Sequence, residues 1–398
     1  MGNTKYEQIM SLGIVVGLLV SICVSVNGKA FLNENLELNV INNLVFDSDG
    51  RERIFHGTNI VFKGPPYHPS TDGFDAQFSF SEEDMKLLQS IGYNSIRLSV
   101  PWAGVEPSPG VFNETYLAIM QGIVERAGSY GIFSLIDFHQ DAWNAKFCGN
   151  GVPDWAAVAK IEDFPVPIKP PVPVDPNTGH PNRTTCDDIN GNQWSAFYLT
   201  YATSTAIGAL YDNENGLRDR FDEYWRTTAA AFADSPYVIG YELMNEPFAG
   251  NVYKDPLLLV PGVADREKLQ PMYDTVNTAI RSVDTKHLIL FQGVTWEVVL
   301  PIGERYGFEH VPGGAAWANK SVLSWHCSVT PKATPDPKYF GWKESEIKRL
   351  GSAGWVTEIG PSQMDLADQF KLSWMHWDYK WLVVRVFLSV LFFSHFSP

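Results

Sequence analysis

Short apolar runs of strand length recur along this chain with helical stretches between them, and that alternation constrains the fold more than any single motif. The runs are Ile54 to Ile60, Ser95 to Val100, Phe133 to Phe138, Val238 to Met244, His287 to Phe291, Val322 to His326, Trp355 to Glu358 and Ser373 to Trp377. The intervals include Ser81 to Ile91, opened by the capping box Ser81-Glu82-Glu83-Asp84, and Asn113 to Tyr130, which Asn113 can cap. Strands separated by helices pair in parallel, and eight such units predict an α/β chain closed as a (β/α)8 TIM barrel. An open doubly wound sheet is the competitor, and no Gly-rich phosphate-binding turn follows an early strand to support it. Upstream, Leu44 to His56 reads as a hairpin turned at Asp47-Ser48-Asp49-Gly50.

One interval is too long for a single helix and its loops. From His139 to Asn245 the chain makes only one barrel step, and it passes through Phe164-Pro165-Val166-Pro167-Ile168-Lys169-Pro170-Pro171-Val172-Pro173. Such a segment cannot be helix or central strand, so it is expected as an extended excursion over the C-terminal face, where barrels of this kind carry their chemistry. It is a candidate wall of the substrate groove.

A formal net charge of −15 leaves no clustered Lys and Arg for phosphate contacts, so nucleic acid is excluded as a partner class. Lys5 precedes the apolar run Ile9 to Val26, which reads as a signal peptide over residues 1–29; the competing reading is an uncleaved membrane anchor. Export fits the three acceptor sequons at Asn113, Asn182 and Asn319. In an oxidising compartment Cys148 and Cys186 could staple the loop between them, leaving Cys327 free, and no spacing suggests a metal site. The expected location is extracellular or a digestive endolysosomal compartment. The aromatic content of 13%, with 13 Trp, suits stacking on sugar rings and equally suits a large aromatic core.

Two strands end on glutamate. Tyr241-Glu242-Leu243-Met244-Asn245-Glu246-Pro247 is an apolar strand broken by Pro after Asn-Glu, and Gly354-Trp355-Val356-Thr357-Glu358-Ile359-Gly360 ends likewise. Their glutamates lie 112 residues apart, about three strand–helix units, which places both at the same face of the barrel. Glu246 suits a general acid/base and Glu358 a nucleophile: carboxyls about 5–5.5 Å apart support double displacement, and a wider gap admits water and inversion. Arg97, His139 and His326 recur at other strand ends, where an Arg would keep Glu358 ionised and histidines would bind hydroxyls or orient carboxylates.

The sequence resembles glycoside hydrolase family 5, specifically its endoglycoceramidase branch, over roughly residues 44 to 380. The resemblance is carried by Gly57-Thr58-Asn59-Ile60-Val61-Phe62-Lys63-Gly64-Pro65-Pro66, Ser95-Ile96-Arg97-Leu98, Asp137-Phe138-His139-Gln140-Asp141, Asn245-Glu246-Pro247, Thr357-Glu358-Ile359-Gly360 and Ser373-Trp374-Met375-His376-Trp377. It implies hydrolysis of the β-linkage between oligosaccharide and ceramide in glycosphingolipids held in micelles or membranes, with neither metal nor organic cofactor. It also implies that Lys63, Asp137, His139 and Asn245 hold the sugar beside the scissile bond, with Trp377, or less favourably Trp374, as stacking platform. Other β-glycosides, such as glucosylated lipids or cellulose and mannan chains, are the alternative substrates. A catalytically impaired form acting as a binding protein is the alternative function. The chain departs from the branch at Cys327-Ser328-Val329, which follows His326 where a Tyr is usual, and the C-terminal β-sandwich that the branch implies is expected to be missing. The barrel is thus expected over residues 30–380, with residues 381–398 an atypical apolar tail left by truncation or alternative splicing.

Overall fold

The computed structural model describes residues 36–160, 164–190, 194–294, 307–327 and 336–380. The leader and the C-terminal tail expected from the sequence lie outside them. Two short strands, β1 (Leu38–Ile41) and β2 (Leu44–Asp47), come first. Eight strands then follow where the apolar runs placed them: β3 (His56–Ile60), β4 (Ser95–Ser99), β5 (Phe133–Asp137), β6 (Val238–Glu242), β7 (Leu288–Gln292), β8 (Ser321–His326), β9 (Ala353–Ile359) and β10 (Ser373–His376). Each pairs in parallel with its sequence neighbour, and β10 pairs with β3 to close the barrel. Closure demands close strand contact at Gly57, where an added Cβ would lie 2.1 Å from the Ser95 carbonyl oxygen.

Side chains alternate along each strand, and the alternation divides the core in two. Outward residues such as Ile96, Leu98, Ile136, Phe291 and Leu323 pack under the surrounding helices. Inward residues Leu135, Ile239, Leu290, Trp355 and Met375 fill the N-terminal half of the barrel, joined by Leu38, Val40 and Val45 of the hairpin, which plugs that end. Burying each large apolar side chain contributes about 1.5–3 kcal/mol. The inward positions nearer the C-terminal ends are polar: Arg97, Asp137 and Glu242 are all fully buried there.

The helix caps form as the sequence predicts. The Ser81 N–H donates to Asp84 Oδ2 at 2.7 Å to start Glu82–Ser90, and Asn113 Oδ1 accepts from the Tyr116 N–H at 3.0 Å to start Glu114–Ser129. The hairpin differs from expectation. Leu44–Asp47 pairs chiefly with the preceding strand Leu38–Ile41, through a two-residue turn at Asn42 and Asn43 with φ of 50° and 66°. Asn tolerates the left-handed conformation that such a tight turn requires. The Asp47–Gly50 turn also forms, but its far arm pairs only at Phe46 and Glu52.

The long interval after β5 is a single barrel step, as predicted. Its proline segment forms neither helix nor strand and is exposed from Pro167 to Pro171, while Phe164 is buried against Phe147 and Phe197. A Cys148–Cys186 disulfide ties it across 38 residues. Cys327 is a buried free thiol that burial pushes up to about 12. Among the described residues no helix is long and apolar enough to cross a membrane. Peptide mapping without reduction is expected to recover Cys148 linked to Cys186, with Cys327 alkylated only after unfolding; rapid alkylation of Cys327 in the native protein would contradict this packing.

Candidate active site

The polar upper layer is organised by one guanidinium. Arg97, midway along β4 and inaccessible to solvent, donates from Nε to Glu242 Oε2 at 2.5 Å, from Nη1 to Asn59 Oδ1 at 2.9 Å and Glu358 Oε1 at 3.0 Å, and from Nη2 to Asn245 Oδ1 at 2.8 Å. Its Nη2 also lies 3.0 Å from Asp137 Oδ1. A planar fork with five donors suits this set of acceptors, and a lysine could not serve it. Burial opposes the charge, but Asp137, Glu242 and Glu358 outweigh burial and hold the guanidinium above its ordinary pKa. Glu242 is fixed in turn by the Thr357 hydroxyl at 2.8 Å.

Glu358, near the end of β9, and Glu246, just past β6, meet around His326 at the end of β8. His326 Nδ1 lies 2.8 Å from Glu246 Oε1 and 3.6 Å from Glu358 Oε2. One oxygen of each carboxylate and this nitrogen all fall within 4.8 Å of one another. Oxygens this close suit the short carboxyl gap of about 5–5.5 Å used in double displacement. Burial, and then the charge of Glu246, push the Glu358 carboxyl up to about 7 against the downward pull of His326 and Arg97. Burial also opposes a charge on His326, yet the two glutamates leave its pKa raised. The same three side chains could in principle ligate a metal ion, but Arg97 already places a full positive charge on Glu358 and disfavours a second cation there.

A second group stands beside the first. His139 Nδ1 lies 2.9 Å from Asp137 Oδ2, and its Nε2 lies 3.5 Å from Asp141 Oδ2. Burial disfavours its charge, but Asp141 and Asp137 raise it to about 9. Lys63 Nζ contacts Asp141 Oδ2 at 2.7 Å and sits 5.3 Å from the centroid of the Trp377 ring, which stacks on His139 at 5.6 Å. The side chain of Lys63 is 47% exposed, so this end of the cluster faces the mouth. Asn245 accepts from Arg97 and donates to the Gln140 carbonyl at 3.0 Å.

The structure therefore brings Lys63, Arg97, Asp137, His139, Asn245, Glu246, His326, Glu358 and Trp377 to one end of the barrel. Trp374 is not among them. It points outward from β10, stacks on His56 at 4.4 Å and donates from Nε1 to Asp368 Oδ1 at 2.9 Å. Strand alternation decides this: the adjacent Met375 points inward, so Trp374 cannot. The three sequon asparagines are exposed. Glu242, Asn59 and Thr357 escaped the sequence reading, although a charged residue inside an otherwise apolar strand signals a buried partner.

The profile of the family described as Cellulase (glycosyl hydrolase family 5) matches residues 56–380. The chain belongs to glycoside hydrolase family 5. It is 42% identical to an endoglycoceramidase of Hydra vulgaris over 381 residues, covering 93% of this chain and 71% of that one. It is also 45% identical to an endoglycoceramidase of Cyanea nozakii over 347 residues, covering 84% and 67%. Among solved structures, endo-glycoceramidase II from Rhodococcus sp. in an iminocyclitol complex superposes with a TM-score of 0.65 at 21% identity, covering 85% of this chain and 75% of the other. The same enzyme in a ganglioside GM3 complex superposes at 0.60, with 20% identity and 84% and 75% coverage. These superpositions speak for the fold.

Removing one partner from a buried charge network leaves the others uncompensated, typically at a cost of about 3–5 kcal/mol. Arg97→Lys is expected to lose at least about 3 kcal/mol of stability in urea unfolding, since a lysine cannot satisfy five acceptors. A variant as stable as the parent would show that the guanidinium does not hold this layer together.

Proposed function

We propose that this chain hydrolyses the β-glycosidic bond between oligosaccharide and ceramide in glycosphingolipids, with retention of configuration. Glu358 is the nucleophile and Glu246 the general acid/base. The observation that carries the mechanism is the pair of glutamates facing each other around His326 with oxygens within 4.8 Å. The substrate follows from the likeness to two endoglycoceramidases at 42% and 45% identity.

In the first step Glu246 protonates the oxygen leaving with the lipid while Glu358 attacks the anomeric carbon, giving a glycosyl-enzyme and the free lipid. In the second step Glu246 takes a proton from water as that water displaces Glu358, so the proton donated in the first step is recovered. Arg97 fixes one oxygen of the nucleophile and favours its charged form. Among the described residues Arg97, itself held by Asn59, and His326 lie against the Glu358 carboxylate and orient it. Lys63, Asp141 and His139 present charged donors and acceptors to sugar hydroxyls, with Trp377 beside them as the apolar face. The substrate would be drawn from micelles or membranes. The disulfide and the exposed sequons support a glycosylated protein working outside the cytosol, in secretion or an endolysosomal compartment, in sphingolipid breakdown.

The direct test is incubation of the purified protein with a ganglioside. Intact oligosaccharide and ceramide are expected, with the β-anomer formed first by proton NMR; release of single terminal sugars or an α-anomer would overturn the proposal. A likeness at 30% identity to a glucosylceramidase of Rhizopus delemar makes glucosylceramide the informative comparison substrate. The coupling of the glutamates gives a second test. Glu246→Gln removes the like charge that raises Glu358, so the nucleophile ionises at lower pH. The acidic limb of kcat/KM for an activated aryl glycoside, which needs no proton donor, should then move to lower pH than in the parent. An unmoved limb, or one moved upward, would separate the two carboxylates electrostatically.

A further inference from the structure

We infer that Gln140 and Tyr198 are positioning residues for the general acid/base, and that through them the long excursion after β5 is built into the catalytic geometry. This rests on the role proposed for Glu246. That residue has φ of 41° and precedes Pro247. A non-glycine residue in the left-handed region carries a cost of order 1 kcal/mol or more, and it persists only where its surroundings fix it. A following proline adds its own bias toward extended backbone. An unsupported Glu246 would therefore relax and carry its carboxylate away from His326 and Glu358.

Three hydrogen bonds hold the peptide in place. The Glu246 N–H donates to Gln292 Oε1 at 2.8 Å. Gln140 Nε2 donates to the carbonyls of Asn245 at 2.7 Å and Glu246 at 3.1 Å, spanning both residues at the tip of the strand. Gln140 is itself clamped: its Oε1 accepts from the Trp143 N–H at 3.0 Å, and the Tyr198 hydroxyl lies 3.3 Å from Oε1 and 3.1 Å from Nε2. Tyr198 comes from the far part of the excursion, beyond Cys186, and stacks on Phe248 at 5.5 Å with the rings nearly parallel. Gln140 is fully buried and Tyr198 is 2% exposed, so both act through the backbone of Glu246 and not on the sugar. The chain thus runs from the tethered excursion through Tyr198 and Gln140 to the peptide of the acid/base.

A displaced acid/base weakens proton transfer and leaves substrate binding largely intact, which gives a readout that plain loss of stability would not produce. The test compares kcat/KM for a poor leaving group, an alkyl β-lactoside, with that for dinitrophenyl β-lactoside, whose departure needs no proton. Gln140→Met, which keeps the length and removes the amide, is expected to lose about 10²-fold on the alkyl substrate and less than about threefold on the dinitrophenyl one. Tyr198→Phe, which removes only the hydroxyl, should lose about tenfold on the alkyl substrate alone. Thermal unfolding checks that both variants are folded at the assay temperature, and azide should restore turnover of the glycosyl-enzyme in Gln140→Met because azide attacks without a base. Equal losses on the two substrates, or an unchanged ratio between them, would overturn the positioning role. A parent protein that cleaves neither substrate would instead overturn the reading of the site itself.

Discussion

Everything at the working end of this barrel depends on a guanidinium that water cannot reach. Arg97 meets Asn59, Asp137, Glu242, Asn245 and Glu358, contributed by four other strands or their immediate ends. Each acceptor would be costly if left unpaired at that depth, and the arginine would be costlier still. The barrel can therefore close only with these strands in one register, and the same register sets where Glu358 and Asn245 stand. Geometry that would be loose on loops is here fixed by the requirement that a buried charge be satisfied.

That requirement also explains what the sequence disclosed. The eight strands were legible because each is a short apolar run buried on both faces, and the strand-end glutamates were legible because a carboxylate closing such a run has to face the mouth. Glu242 sits in a run that reads as apolar, and its partner Arg97 is 145 residues away, so only the closed barrel shows the pairing. Gln140 and Gln292 were invisible for a different reason: they bond to backbone, and no residue pattern marks a backbone acceptor. Trp374 and Trp377 differ by position along a strand end, where a single step reverses the direction of a side chain. The first hairpin strand was missed because its Asn42-Asn43 turn was overshadowed by the stronger Asp47–Gly50 turn signal.

The interior is layered by chemistry. Its N-terminal half is apolar and packed against the hairpin, and its C-terminal half holds the buried charges. Low polarability below strengthens the electrostatics above. This is why burial, with the charge of Glu246 beside it, pushes Glu358 up to about 7, while His139 is raised to about 9 by its aspartates against its own burial. Neighbouring groups are driven in the same direction by opposite causes.

His326 is the point where the two proposed catalytic charges are coupled. Its Nδ1 carries at most one hydrogen, and that nitrogen lies 2.8 Å from Glu246 and 3.6 Å from Glu358. With both carboxylates charged the pair repels, and a proton shared between them relieves the repulsion. On the proposed mechanism, attack by Glu358 converts its carboxylate into a neutral ester. The repulsion between the pair then disappears while the contact between His326 and Glu246 remains, so the same carboxyl stays placed beside the anomeric centre for the second step. On that mechanism one carboxyl serves both steps from one position, because His326 holds it beside the nucleophile, with oxygens within 4.8 Å.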